Sequence, residues 1–214
     1  YTELHCLSNF SFLRGASHPE ELVARALALE YGGLAITDEC SFAGSVRAHL
    51  ELRDLRENDA LARSFHLIHG TEIQLVEGVD RKAAPGAKLV LLAQTRAGYG
   101  NLSQLVTLAR RQAGKGSYRL SAADLETHAG WLQDVLALLV PLRTWREPLD
   151  EARVRREARW LAGLAPGAGW IACELTRDAD DAARLATQQA IGDAAGLPLV
   201  AAGDVHMHAR GRRK

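Results

Sequence analysis

The sequence predicts an α/β fold in which a largely parallel sheet is wrapped by helices. Three observations carry this. Short runs of Val, Ile, Leu and Ala recur along the chain, helical patterns with recognisable starts lie between them, and acids and histidines follow the apolar runs. Roughly six or seven such βα units over ~200 residues favour a barrel or incomplete barrel, with an open doubly wound sheet as the alternative arrangement of the same units.

The first element is a short strand over Tyr1–Leu7, ending in the polar turn Ser8–Asn9. Ser17-His18-Pro19-Glu20-Glu21 then places Ser17 as the cap of a helix running towards Gly32–Gly33. Buried strands follow at Gly33–Thr37, Phe65–Val76, Lys88–Gln94, Val135–Val140, Gly169–Leu175 and Pro198–Ala202. Glu77–Ala87 reads as a turn between two strands, so one antiparallel pair interrupts the alternation. Ser121 and Asp124 make a capping start for another helix. Arg153–Leu164 and Asp180–Ala195 carry helical apolar spacing, the second stopped by Gly196-Leu197-Pro198. Neither an internal repeat nor a low-complexity linker is present.

Composition limits the function classes. The 214 residues suffice for one sizeable core, and the formal net charge of +0 gives no global attraction to nucleic acid or anionic membrane. The basic cluster Arg210–Lys214 reads as a solvated tail. Three scattered cysteines, Cys6, Cys40 and Cys173, make no disulfide framework and suit a reducing cytosol, and no apolar run is long enough to span a bilayer. A cytoplasmic protein is expected. The chain begins without Met and stops in mid-pattern at GRRK, as expected of a piece of something longer.

Site candidates sit where the strands end. His5 closes the first strand, Asp38-Glu39 follow the second, Glu72 follows Gly70-Thr71, and Asp204 and His206 follow the last. Acids and histidines converging on the carboxyl ends of parallel strands are a usual setting for hard or borderline metals. Each has a plainer reading. Asp38 and Glu39 also suit a helix start. Glu72, beside apolar Ile73, is harder to explain as surface, and the D-x-H pair Asp204/His206 puts two ligand types on one face of an extended segment. His18, His49, His66, His128 and His208 read as surface or structural histidines, and Cys6 and Cys173 as packing residues. There is no phosphate loop of the G-x-x-x-x-G-K-[ST] kind, no strand-borne G-x-G-x-x-G and no G-x-S-x-G elbow.

The ordered set LHCLSNFSFLRGAS, LAITDECSFAGSVRAH, IHGTEI, KLVLLAQTRAGYGNLSQLVTLAR and PLVAAGDVHMH resembles the PHP (polymerase and histidinol phosphatase) domain at the amino end of bacterial C-family DNA polymerases. The resemblance is narrower still to the error-prone, damage-induced ImuC type, and runs from Thr2 to the last residue. It implies a distorted, TIM-like (β/α)7 barrel formed by residues 1–214 as a single domain. Intact members of that family hold a trinuclear metal cluster and hydrolyse phosphoesters.

Matched position by position, the implied site is incomplete. His5 fits the first histidine of the family's H-x-H motif, but Leu7 stands where the second belongs. Arg14 replaces the aspartate before Gly15, Glu39 replaces the metal-binding histidine after Asp38, and Lys88 replaces the histidine before LVLLA. The cysteine expected after Val135–Val140 is missing, with Pro141 and Leu142 near that point. Glu72, Asp204 and His206 are retained.

Leucine cannot ligate, and fixed cations beside dications cost several kcal/mol each even at an effective dielectric near ~20. Arg14 and Lys88 are therefore expected to pair with Glu39, Glu72 and Asp204 in place of a cluster. At most one weakly held divalent ion on His5, Glu72, Asp204 and His206 is expected, and no catalytic residue is assigned within the domain. The parent is expected to perform nucleotidyl transfer in translesion synthesis and DNA repair, with Mg²⁺ in a palm beyond this chain. Its partners by resemblance are the remaining polymerase domains, translesion accessory proteins, the sliding clamp and DNA. The alternatives are an active metal-dependent phosphoesterase or 3′–5′ exonuclease, and a free-standing interaction module.

Overall fold

The structure is a computed structural model that describes residues 1–77, 84–142 and 149–212. Seven strands follow sequence order through the sheet: β1 (Thr2–Cys6), β2 (Gly33–Ile36), β3 (His66–Glu77), β4 (Ala84–Ala93), β5 (Val135–Val140), β6 (Gly169–Cys173) and β7 (Leu199–Ala201). Among the described residues, seven α-helices lie between them: α1 (Pro19–Ala28), α2 (Ala43–Asn58), α3 (Ala60–Ser64), α4 (Arg96–Arg111), α5 (Ala122–Thr127), α6 (Glu151–Leu164) and α7 (Asp181–Ala195). The chain divides into two compact units, Tyr1–Glu72 with Gly203–Lys214, and Ile73–Ala202. Among the described residues, no helix is long and apolar enough to cross a membrane.

In the first unit β1 pairs parallel with β2, and β2 with β3. The β1–β2 register shifts between Glu3 and Cys6, a local irregularity of the pairing. Beyond β2 the pairing resumes as a bridge between Glu39 and Glu72, which sets Asp38 and Glu39 beside the middle of β3, since Glu72 lies within the strand and not at its end as the sequence suggests. Helices α1 and α2 close one side through a core of Cys6, Leu22, Val23, Leu27, Leu34, Ile36, Ala48, Leu52 and Phe65. The last residues of the unit come from the far end of the sequence: Val205 bridges Cys6, and the Leu7 amide donates to the Val205 carbonyl at 2.8 Å.

In the second unit β5, β6 and β7 run parallel, while β4 pairs antiparallel with β5 from Lys88↔Val140 to Ala93↔Val135. The antiparallel pair described here is thus β4 with β5, whereas the sequence places one across the Glu77–Ala87 turn. The turn expected over Glu77–Ala87 lies mostly in residues 78–83, and the end of the basic tail in residues 213–214, outside the described residues. Leu89, Val90, Leu91, Leu102, Leu105, Leu139, Leu161 and Ile171 are buried here, consistent with strands covered on both faces.

Two helix expectations change. Ser17 does not cap α1, because its hydroxyl is held by His208, whose ring Nδ1 lies 2.8 Å away and whose amide donates to it at 2.9 Å. His18 takes the cap position instead, and its amide is received by Glu21 at 2.8 Å. Helices α2 and α4 were not anticipated. Helix α2 buries mainly small residues, Gly44, Ser45 and Ala48, beside Leu52, so its apolar stripe is faint. Ser121 does cap α5, with Asp124 completing the reciprocal box.

Candidate functional site

The alternation of β1 puts Glu3 and His5 on the same side of the strand, and both are buried. Glu3 receives the amides of His5 at 2.8 Å and Gly203 at 2.9 Å and the hydroxyl of Tyr1 at 3.0 Å. Burial pushes its carboxyl up from the usual range, and these three hydrogen bonds oppose the push. Glu3 thus ties β1 to the returning segment at Gly203.

The imidazole of His5 reaches the middle of β3. Its Nε2 donates to Glu72 Oε2 at 2.9 Å and lies 3.6 Å from Asp204 Oδ1. Asp204 has φ 45°, a left-handed conformation that aspartate tolerates better than most residues. On its other side His206 Nε2 donates to the same Asp204 Oδ1 at 2.9 Å. Asp204 is thus hydrogen-bonded to His206 and close to His5, and Glu72 is fully buried.

Arg14 enters from the loop after β1. The loop is closed by Arg14 and Gly15 amides donating to the Ser11 carbonyl, both at 3.0 Å. A side chain at Gly15 would collide with the Ser8 carbonyl, so glycine is required there. Asp38 organises the loop from outside, receiving the Ser8 amide at 2.8 Å, the Ser8 hydroxyl at 2.7 Å and the Ser11 hydroxyl at 2.7 Å. Ser11 Oγ in turn accepts the Glu39 amide at 2.9 Å. The loop so held aims Arg14 at two acids. Its Nη2 donates to Glu72 Oε2 at 3.0 Å, its Nη1 donates to Glu72 Oε1, and Nη1 also reaches Glu39 Oε2 at 3.1 Å. Burial alone would lower the guanidinium's pKa, but the hydrogen bonds and charges of Glu72, then Glu39, outweigh it and raise it further. Arg14 is a permanent cation at this site.

His5, Glu72 and Asp204 each offer a ligand atom within 4.8 Å of the others. One nitrogen and two carboxylate oxygens fit a single hard or borderline divalent ion. They do not fit a cluster, because both oxygens of Glu72 are already in the fork of Arg14 and a fixed positive charge stands beside them.

The structure brings together His5, Arg14, Glu39, Glu72, Asp204 and His206. It leaves Asp38 as a hydrogen-bond hub for Ser8 and Ser11 and buries Leu7 as packing. Arg14 pairs with Glu39 and Glu72 as expected, whereas Asp204 meets histidines. Lys88 belongs to the second unit, on β4 in register with Val140. Cys6 and Cys173 are buried free thiols. Sequence reading missed Glu3, Ser8 and Ser11. Glu3 was accessible to it, as the inward neighbour of His5 two positions away.

The PHP domain family model matches residues 3–154. Among curated proteins, the chain is 54% identical over 224 residues to an error-prone DNA polymerase of Azoarcus sp. (strain BH72), covering 100% of this chain and 20% of that one. It is 52% identical over 215 residues to the error-prone DNA polymerase of Dechloromonas aromatica (strain RCB), covering 100% and 19%. The chain thus spans about one fifth of the length of these relatives. Among solved structures, a Bifidobacterium adolescentis protein named as a metal-dependent phosphoesterase superposes with a TM-score of 0.61 at 16% identity, over 100% of this chain and 89% of that one. That likeness shows a shared fold and agrees with the distorted, TIM-like (β/α)7 class expected from the sequence. With the family model covering most of its length, the chain belongs to the PHP domain family.

Proposed function

We propose that residues 1–214 are the single amino-terminal PHP domain of an error-prone DNA polymerase acting in translesion synthesis and DNA repair, and that the domain is structural rather than hydrolytic. The observation that carries the second half is the Arg14 fork, which places a guanidinium on both oxygens of Glu72 where a multinuclear centre would need them. Similarity along the whole chain to polymerases about five times longer supports the first half. In this reading nucleotidyl transfer with Mg²⁺ belongs to the chain beyond residue 214, in the cytoplasm. The domain braces the polymerase, and translesion accessory proteins, the sliding clamp and DNA are partners of the parent.

A second reading keeps one divalent ion, held by His5, Glu72 and Asp204 with His206 orienting Asp204; the convergence of these three ligand atoms favours it. Such an ion would supply Lewis-acid polarisation of a phosphoester oxygen. It requires Arg14 to release an oxygen of Glu72.

The test uses the full-length protein. Elemental analysis after incubation with Mn²⁺ or Zn²⁺ should find no more than one ion per domain. Primer extension across a damaged template should proceed, and residual phosphoester hydrolysis should be unchanged by His206→Ala. Two or more ions, together with hydrolysis abolished by that substitution, would overturn the structural reading. A reading frame that stops near residue 214 would overturn the polymerase reading.

A further inference from the structure

The loop that carries Arg14 also carries Phe10, Phe12 and Leu13, with Phe12 84% and Leu13 89% exposed. Two large apolar side chains held almost wholly in water are unfavourable in the unit that displays them. The loop is not slack. Its backbone is closed by the Ser11 amide on the Ser8 carbonyl at 2.9 Å and the Asn9 amide on the Ser17 carbonyl at 2.8 Å, besides the Asp38 and Arg14 anchors. Leu13 has φ 62°, a conformation suited to glycine or asparagine and strained for leucine. The first unit thus holds Leu13 against a backbone preference while gaining no burial from it.

We infer that this loop is a preformed knob that docks onto the polymerase body following residue 214, with Phe12 and Leu13 as contact residues. The inference rests on reading the chain as the amino-terminal domain of a longer polymerase. That body is the favoured occupant because relatives carry about four fifths of their length outside the matched stretch, and a tethered partner meets the loop at effective concentrations in roughly the millimolar range. DNA is a poorer fit. Phosphate contacts need available cations, and the guanidinium of Arg14 is engaged with Glu39 and Glu72. Because the loop is already ordered, docking adds little conformational cost.

The experiment places the photo-crosslinking residue p-benzoylphenylalanine at position 12 of the full-length protein. Irradiation should give an intramolecular cross-link that peptide mapping assigns beyond residue 214. Adding Leu13→Ser should lower the yield by about tenfold, through loss of one buried apolar contact. A cross-link to a second copy, to added single-stranded DNA, or to no site would overturn the inference. These failures differ from failure of the polymerase reading, which would show as a frame ending near residue 214 or as no primer extension by the unsubstituted protein.

Discussion

Arg14 donates through both terminal nitrogens to the two carboxylate oxygens of Glu72, a fully buried acid 58 positions later in the chain. A planar fork on a planar carboxylate is the bidentate pairing that arginine makes and lysine cannot. It neutralises the acid, fixes its orientation and leaves no oxygen of Glu72 outside the fork.

Arg14→Ala should destabilise the protein by about 2 to 3 kcal/mol, because Glu72 is left buried without its main counter-charge. Arg14→Lys should recover only part of this, since an ammonium cannot span both oxygens. Urea denaturation of the three proteins at pH 7 checks the order.

The same substitution should open the site to metal. Removing a fixed cation and freeing Glu72 should raise the affinity for Mn²⁺ by roughly a hundredfold in Arg14→Ala. Asp204→Asn in that background should take most of the gain away. Isothermal titration with the metal alone reads both changes, and the stoichiometry should stay at one ion or fewer.

Gly44, at the start of α2, abuts the hub beneath the loop. A Cβ there would collide with Asp38 Oδ2 and stand 2.8 Å from Ser8 Oγ. Gly44→Ala should therefore cost about 2 kcal/mol despite the higher helix propensity of alanine, because it levers Asp38 off Ser8 and Ser11. Thermal unfolding compared with Gly163→Ala, where an added Cβ meets nothing within 4 Å, separates crowding from propensity.

In the second unit, Glu157 is buried, receives Arg153 Nε at 2.7 Å through Oε1, and among the described residues has no hydrogen-bond partner on Oε2. Burial raises its pKa and the hydrogen bond and charge of Arg153 only partly oppose this. The unfolded chain then loses this proton first as pH rises from the ordinary carboxylate value. Glu157 thus subtracts stability progressively up to its folded pKa and fully above it. Glu157→Gln should be more favourable relative to the parent at pH 7 than at pH 4, and melting curves at both pH values check the sign.

The strands were legible because burial on both faces leaves continuous apolar runs; Val135–Val140 matches β5 end to end. The proximity of His5, Glu72, Asp204 and His206 was legible because ligand-type residues beside apolar runs are conspicuous, although Glu72 lies inside β3 and not at its end, and Arg14 stood out as a cation among acids. The roles of Ser8 and Ser11 were not. Their partner Asp38 lies 27 to 30 positions away, and no local pattern announces a hydrogen bond between a turn and a distant strand end. Helix α2 was missed for another reason. Where two surfaces approach closely, glycine, serine and alanine do the packing, and they leave almost no hydrophobic rhythm.

The return of Gly203–Val205 to the side of β1 has a consequence for biosynthesis. Glu3 waits for the amide of Gly203, His5 for Asp204 and Ser17 for His208, separations of about two hundred residues. The ribosome therefore releases the first seventy residues long before the strip that completes them. Until then a nascent first unit lacks the strip that pairs with the end of β1, and transiently unpaired strand edges are prone to aggregate. The first unit has all its pairing partners only after Gly203–His208 has been translated.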